Sequence, residues 1–347
     1  MQVDSLNIDH SADCEAEITP GNTKLMSIDA VMELVQADKQ EVDNVIRHRL
    51  HSEVVLVNQL GHYIINSGGK RLRPVLVLLA ARAFGYQGYH HIPLAAVVEF
   101  IHTATLLHDD VVDASELRRG QKTANALWGN EASVLVGDFL YSRAFQMMVE
   151  VGSMQVMEIL ANATNIIAEG EVMQLMNCRE PNTTEETYLE VIRYKTAKLF
   201  EAATKLGAVI SGRNAEEVDA MSRYGMHLGT AFQLIDDVLD YSMSSEDIGK
   251  NIGDDLAEGK PTLPLIYAIR HGNSKQVKVV REAIEQGNRD NIDAVMEVVI
   301  ETGAIEYTSK AAKKEAGKAV SFLQFLPDSP YKRALVSIAR FSVDRSH

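Results

Sequence analysis

Cysteine is nearly absent from this chain: Cys14 and Cys178 are the only two among 347 residues. So widely separated a pair makes neither a metal-binding spacing nor a disulfide framework, which suits a reducing compartment. Positive charge is also short, with 34 Lys and Arg against 48 Asp and Glu and a net charge of −14. That balance argues against a nucleic-acid partner and against electrostatic docking on anionic lipid. Long apolar runs are missing as well. The longest, residues 75–81, suits a buried helix and falls far short of the roughly 18 residues a membrane-spanning helix needs. Residues 1–26 carry five acids against the single base Lys24, unlike a secretory signal or a transit peptide. They are expected to form a disordered acidic tail, and the protein is expected in the cytoplasm. No linker rich in Pro, Gly or Ser divides the rest, so residues 27–347 are expected to form one domain.

Alternating β patterns are scarce too. Ser27 can cap a long helix running to about Ser67, where Gly68-Gly69 stops it. Pro74 and Pro93 sit where first-turn prolines are welcome. Helical periodicity continues over about 131–150, 154–177, 184–211, 214–242, 275–287, 303–326 and 329–343. The fold class is all-α, a helical bundle.

What the chain does have is one acidic signature written twice, Asp109-Asp110-Val111-Val112-Asp113 and Asp236-Asp237-Val238-Leu239-Asp240. Each follows an apolar run. On a helix the outer carboxylates of each copy share one face, about 6 Å apart along the axis. Asp is a poor helix former and like charges at i,i+4 repel, so a ligand must offset the cost. A shared divalent cation is the simplest. Carboxylates suit Mg²⁺, which usually completes its shell with water and substrate phosphate oxygens. The pattern points to diphosphate chemistry. One such cluster on its own is a modest signal; two, each closing an apolar run, leave little room for a merely solvated face.

Basic groups are few but placed. Gly68-Gly69-Lys70-Arg71-Leu72-Arg73-Pro74 puts flexible backbone and three cations at a helix start, a good cradle for a diphosphate. Such short matches are common, and a surface helix N-terminus explains this one about as well. Arg118-Arg119-Gly120 follows the first acidic cluster, as a solvated turn or as a phosphate contact. His102 lies two turns before Asp109, though a lone His in an apolar helix is more often core. Lys195-Thr196 falls in a helix, and Lys250 and Lys260 flank a Gly-rich stretch that reads as a surface loop or a lid. Glu169-Gly170-Glu171 reads as structural.

The combination of GGKRLRP, DDVVD with RRG, KTA, and FQLIDDVLD with GKNIGDDL and GKPTLPL resembles the trans-type polyprenyl diphosphate synthases from about residue 40 onward. Within that group, residues 99–113 and 130–148 look most like the bacterial octaprenyl enzymes. The resemblance implies an isoprenoid-synthase helical bundle with a central cavity and a homodimer. It also implies about three Mg²⁺ per site, Asp109 and Asp113 holding two and Asp236 the third, with Asp240 and Asp254 in support. Arg118, Lys195, Lys250 and Lys260 would meet the allylic diphosphate. Lys70, Arg73, His102 and Arg119 would hold isopentenyl diphosphate, while Thr196 and Gln233 face the reacting carbons. The implied reaction is prenyl transfer, adding isopentenyl diphosphate to an allylic primer such as farnesyl diphosphate, with an octaprenyl product for quinone side chains.

Product length turns on the helix face behind Asp109. Ala104, five residues before it and about 7.5 Å along the axis, leaves room where a bulky aromatic closes the pocket in shorter-chain relatives. Ile101 and Phe100 lie deeper and can form a floor. Shorter-chain or nonaprenyl and decaprenyl activity stays open. A class I terpene cyclase is the nearest other enzyme, but it has no use for a second diphosphate cradle or a repeated DDxxD. A non-catalytic helical partner subunit predicts gaps among the basic positions, and none is present.

Overall fold

The computed structural model describes residues 25–66, 68–118, 120–242 and 253–344. The acidic tail up to residue 24, Arg119 and Lys250 lie outside the described residues. The chain starts with α1 (Ile28–Leu34), α2 (Gln36–Leu50) and α3 (Val55–Asn66). Ser27 does cap α1, its side chain accepting from the Ala30 N–H. The single long helix expected over 27–67 is instead three. The second break is held by side chains: Asn58 accepts from the Ser52 N–H at 3.0 Å and donates back to the Ser52 carbonyl at 2.6 Å, and Ser52 Oγ accepts from the Val54 N–H. Ser and Asn compete with the backbone in this way, so no Gly or Pro was needed to end the helix.

Next come α4 (Leu72–Ala83) and α5 (His91–Val112), then a two-residue-per-strand hairpin of β1 (Leu117–Arg118) and β2 (Gln121–Lys122). The helices α6 (Ala124–Trp128), α7 (Asn130–Val151), α8 (Met154–Asn177) and α9 (Glu185–Ile192) follow. A π-helical turn, Arg193–Ala197, leads directly into α10 (Lys198–Ile210), and α11 (Ala215–Asp240) starts from a capping box between Asn214 and Glu217. The remainder is α12 (Asp254–Ala257), α13 (Leu263–His271), α14 (Ser274–Gln286), α15 (Ile292–Glu301), α16 (Ala304–Ser321) and α17 (Pro330–Phe341). Helices α12, α13 and α15 and the hairpin have no counterpart in the sequence reading.

Helices α4, α5, α10 and α11 form the centre. α5 packs on α4 and α7, α10 on α4 and α11, and α11 on α16. α4 is buried almost all round, its Val75 to Ala81 all at zero exposure, as expected of a helix apolar on every face. The main core joins these helices to α1, α2 and α17, and a satellite core around Tyr241, Leu265 and Val299 packs α13–α15 together. The two acidic signatures therefore end two central helices that face each other across the bundle. Among the described residues, no helix is long and apolar enough to cross a membrane.

Candidate active site

A cavity of about 740 Å³ opens between these helices, and both acidic signatures border it. Asp109 and Asp113 come from the end of α5, and Asp236, Asp237 and Asp240 from the end of α11. On one side lies the basic turn before α4, with Lys70 and Arg73; on the other lie Lys195 and Lys260.

The first signature is met by positive charge at every member. Lys195 Nζ lies 3.6 Å from Asp109 and 2.6 Å from Glu171, while Lys260 Nζ lies 2.9 Å from Asp113 and also pairs with Glu258. Asp110 turns away from solvent entirely, and Arg118 donates to its Oδ1 from Nε at 2.9 Å and from Nη2 at 2.7 Å. Arg118 thus ties the hairpin to the end of α5. Burial raises the Asp109 pKa, with the Lys195 charge pulling the other way and Asp113 adding to the rise. Burial also pushes Glu171 up, to about 7, helped by the Asp109 charge. For Lys195 and Lys260 burial acts to lower the pKa, but the surrounding carboxylates override it and both are raised.

The second signature is met differently. Its inner member, Asp237, is also buried, but it accepts from neutral donors, the Tyr188 hydroxyl and the Gln233 side-chain amide at 2.9 Å. Burial pushes its carboxyl up to about 8, with the Asp255 charge adding to the effect. Gln233 in turn accepts from the Thr196 hydroxyl at 2.9 Å, so Thr196, Gln233 and Asp237 form one chain of hydrogen bonds along the cavity wall. Asp240 accepts from the N–H groups of Asp254 and Asp255 at the start of α12. Asp254 itself is paired with Arg289, and Asp255 is the α12 acid that borders the cavity.

Lys195 and Thr196 reach the cavity because the chain makes a π-helical turn there. α8 crosses that turn at Gly170, where a Cβ would come within 2.6 Å of the Lys195 nitrogen and 2.8 Å of the Tyr194 Cβ. Only glycine lets the two helices approach so closely, and the next residue, Glu171, then meets Lys195. The structural reading of Glu169-Gly170-Glu171 accounts for the glycine and misses Glu171, which borders the cavity. An acid next to a glycine on an otherwise apolar helix was its signal. Glu258 and Tyr188 carried no comparable signal.

On the basic side, Arg73 Nη1 lies 3.1 Å from His102 Nε2, and its guanidinium sits 4.4 Å from the centre of the Phe200 ring. Lys70 Nζ lies 4.4 Å from the Phe341 ring. Both cations rest on aromatic faces, which fixes their heads at the cavity edge. Lys260 is carried by a loop fastened at two points: the Arg179 N–H donates to the Gly259 carbonyl at 2.7 Å, and the Lys260 N–H to the Asp255 carbonyl at 2.8 Å.

Ala104, Ile101 and Phe100 are fully buried in α5 and lie outside the cavity lining, which on this helix is made by His102, Thr105 and Leu106 above the acids. The cavity therefore stops short of the three residues expected to set product length.

A family profile described as polyprenyl synthetase matches residues 54–301. The chain belongs to the polyprenyl synthetase family. The octaprenyl diphosphate synthase of Escherichia coli (strain K12) is 53% identical over 321 residues, 92% of this chain and 99% of that one. An all-trans-nonaprenyl-diphosphate synthase (geranyl-diphosphate specific) of Rhodobacter capsulatus is 45% identical over 90% of this chain and 96% of its own. The crystal structure of a polyprenyl synthase from Caulobacter crescentus CB15, complexed with calcium and isoprenyl diphosphate, aligns with a TM-score of 0.89 at 46% identity. That alignment covers 93% of this chain and 99% of that one. Both carboxylate faces and both groups of cations border the one cavity.

Among the described residues, no three His, Cys, Asp or Glu side chains are gathered tightly enough to cage a metal. The donor set still fits Mg²⁺, because that ion takes one or two carboxylates and completes its shell from phosphate oxygens. Lys195 and Lys260 already place positive charge against Asp109 and Asp113, where a cation would be expected.

Proposed function

We propose that the protein elongates an allylic diphosphate, farnesyl diphosphate by preference, with isopentenyl units to an octaprenyl diphosphate. The observation that carries this reading is the convergence of both acidic signatures and both cationic groups on one cavity. The octaprenyl length is supported by relatives of that activity at 53% identity.

Asp109, Asp113 and Asp236 are the residues that would hold the magnesium ions, about three per site. When bound, the ions supply positive charge to the allylic diphosphate oxygens. Arg118, Lys195, Lys250 and Lys260 add their own charge to the same oxygens. Negative charge develops there as the allylic C–O bond breaks and the diphosphate leaves with the electron pair. Lys70, Arg73, His102 and Arg119 hold isopentenyl diphosphate so that the π electrons of its double bond form the new C–C bond to the allylic carbon. The Thr196 hydroxyl and the Gln233 amide present oriented dipoles to the cationic carbon. Packing around the cavity excludes water that would otherwise trap it. A proton is then lost from the isopentenyl unit to the departed diphosphate.

The working unit is a homodimer. α7 and α8 expose Leu135 (67%), Val149 (64%), Leu175 (61%) and Met176 (77%), apolar side chains that a second copy would cover. The reading places the reaction in the cytoplasm, and among the described residues no helix is long and apolar enough to cross a membrane. The product is a precursor for quinone side chains.

The test is incubation of the protein with farnesyl diphosphate, labelled isopentenyl diphosphate and Mg²⁺, followed by chromatography of the dephosphorylated products. A Mg²⁺-dependent ladder ending near forty carbons is expected. A ladder ending at twenty carbons would refute the octaprenyl assignment, and no incorporation by the folded protein would refute the activity.

A further inference from the structure

Arg71 is the one cation of the basic turn without an assigned partner in the reaction, and its backbone is unusual. It is the residue preceding α4, with φ 48° and ψ 49°, in the left-handed region that disfavours a side-chain-bearing residue. Arg71 borders the cavity, yet its guanidinium is engaged by protein groups. Nη1 pairs with Asp43 of α2, Nη2 donates to the Ile65 carbonyl in the last turn of α3 at 2.9 Å, and Nε lies 3.6 Å from Glu99 of α5. All three faces of the guanidinium are thus turned to protein groups on three different helices. Glu99 lies one helical turn before His102, the neighbour of Arg73, so α5 meets Arg71 and Arg73 through consecutive turns of the same face.

We infer that Arg71 is a positioning residue: its three-helix anchorage holds the turn in the left-handed conformation that aims Lys70 and Arg73 into the cavity. The inference rests on the reading of Lys70, Arg73 and His102 as the isopentenyl diphosphate site. The backbone strain at residue 71 is offset by the two carboxylates and the carbonyl. Without them the turn relaxes, and the two cradle cations lose their fixed separation. Displacement of about 1 Å is enough to weaken a diphosphate contact substantially.

The experiment is steady-state kinetics on Arg71→Ala and Asp43→Asn, varying each substrate in turn, with helical content and Tm recorded alongside. Arg71→Ala is expected to raise KM for isopentenyl diphosphate about tenfold while KM for farnesyl diphosphate stays within about twofold and kcat falls little. Asp43→Asn is expected to move the same KM in the same direction by a smaller factor, and to add nothing in the Arg71→Ala background. An unchanged KM for isopentenyl diphosphate, or an equal rise for both substrates, overturns the inference. So does a lower KM in Asp43→Asn, because that would mark Arg71 as a direct ligand freed from its carboxylate. Should Arg71→Ala fail to fold, Asp43→Asn alone decides. Lys70→Ala and Arg73→Ala serve as controls for the underlying reading. If they leave the isopentenyl KM unchanged, the site assignment fails; if they raise it and Arg71→Ala does not, only the positioning role fails.

Discussion

The two acidic signatures are nearly the same in sequence and quite different in setting. Each turns its second Asp into the protein, but Asp110 meets the Arg118 guanidinium while Asp237 meets a tyrosine hydroxyl and a glutamine amide. The outer acids of the first copy face lysine ammonium groups; Asp240 of the second accepts from backbone N–H groups. One motif thus serves as an ion-paired anchor on α5 and as the end of a neutral hydrogen-bond chain on α11. In both copies the outer acids border the cavity. The shared motif does not fix the charge state of what lies behind them.

The strongest blow to both copies is removal of an outer acid. Asp109→Ala and Asp236→Ala are each expected to lower turnover on the order of 10³-fold with helical content unchanged, as measured by labelled isopentenyl incorporation and circular dichroism. Full activity in either would remove that copy from the metal assignment.

Neutralising the inner acids should separate the copies. Asp110→Asn leaves Arg118 facing a weakened partner in a buried place and is expected to cost about 2–3 kcal/mol in urea unfolding. Asp237→Asn is expected to cost less than about 1 kcal/mol, because burial already favours the neutral form there. Equal losses would erase the distinction.

Behind the first copy, Ala104→Phe tests the sequence expectation of a tunnel past Ala104, which requires a shorter product with the rate of the first condensation within about twofold, read from the chain-length distribution. An unchanged distribution would place the chain-length floor elsewhere, as the cavity lining by Thr105 and Leu106 already suggests looking.

The smallest effect is a slope. Burial pushes the Asp237 and Glu171 carboxyls up to about 8 and about 7, above the usual carboxylate range. The native state therefore holds protons that the unfolded state gives up. Stability of the metal-free protein is expected to fall as pH rises from about 4 through 8, and Asp237→Asn should flatten the upper part of that fall. Thermal unfolding in chelator across this range measures it; a rise in stability over the interval would contradict the assigned burial effects.

The bundle itself was legible because helical periodicity, caps and Gly stops agree over most of the chain. Ser27, Asn214 and Ser329 each cap where a capping residue stands before an apolar run. The break near Ser52 was not legible, since it rests on local side-chain bonds, and the break at Val35 has no side-chain cap; no Gly or Pro marks either. The short elements α12, α13 and α15 offer too few turns for periodicity to register. Within the site, the outer acids stood out by type and spacing, whereas the basic turn read equally well as a surface helix start. Glu171, Asp255 and Tyr188 did not stand out, because each is brought to the cavity by a tertiary crossing such as that of Gly170 against the π turn.

The central claim is that both copies act together on one diphosphate through bound cations. Calorimetric titration of inorganic diphosphate into the protein, with and without Mg²⁺, tests it most directly, using wild type, Asp109→Ala and Asp236→Ala. Tight binding only with Mg²⁺, lost in both variants, is the predicted result. Binding that needs no Mg²⁺, or that survives in Asp236→Ala, would contradict it.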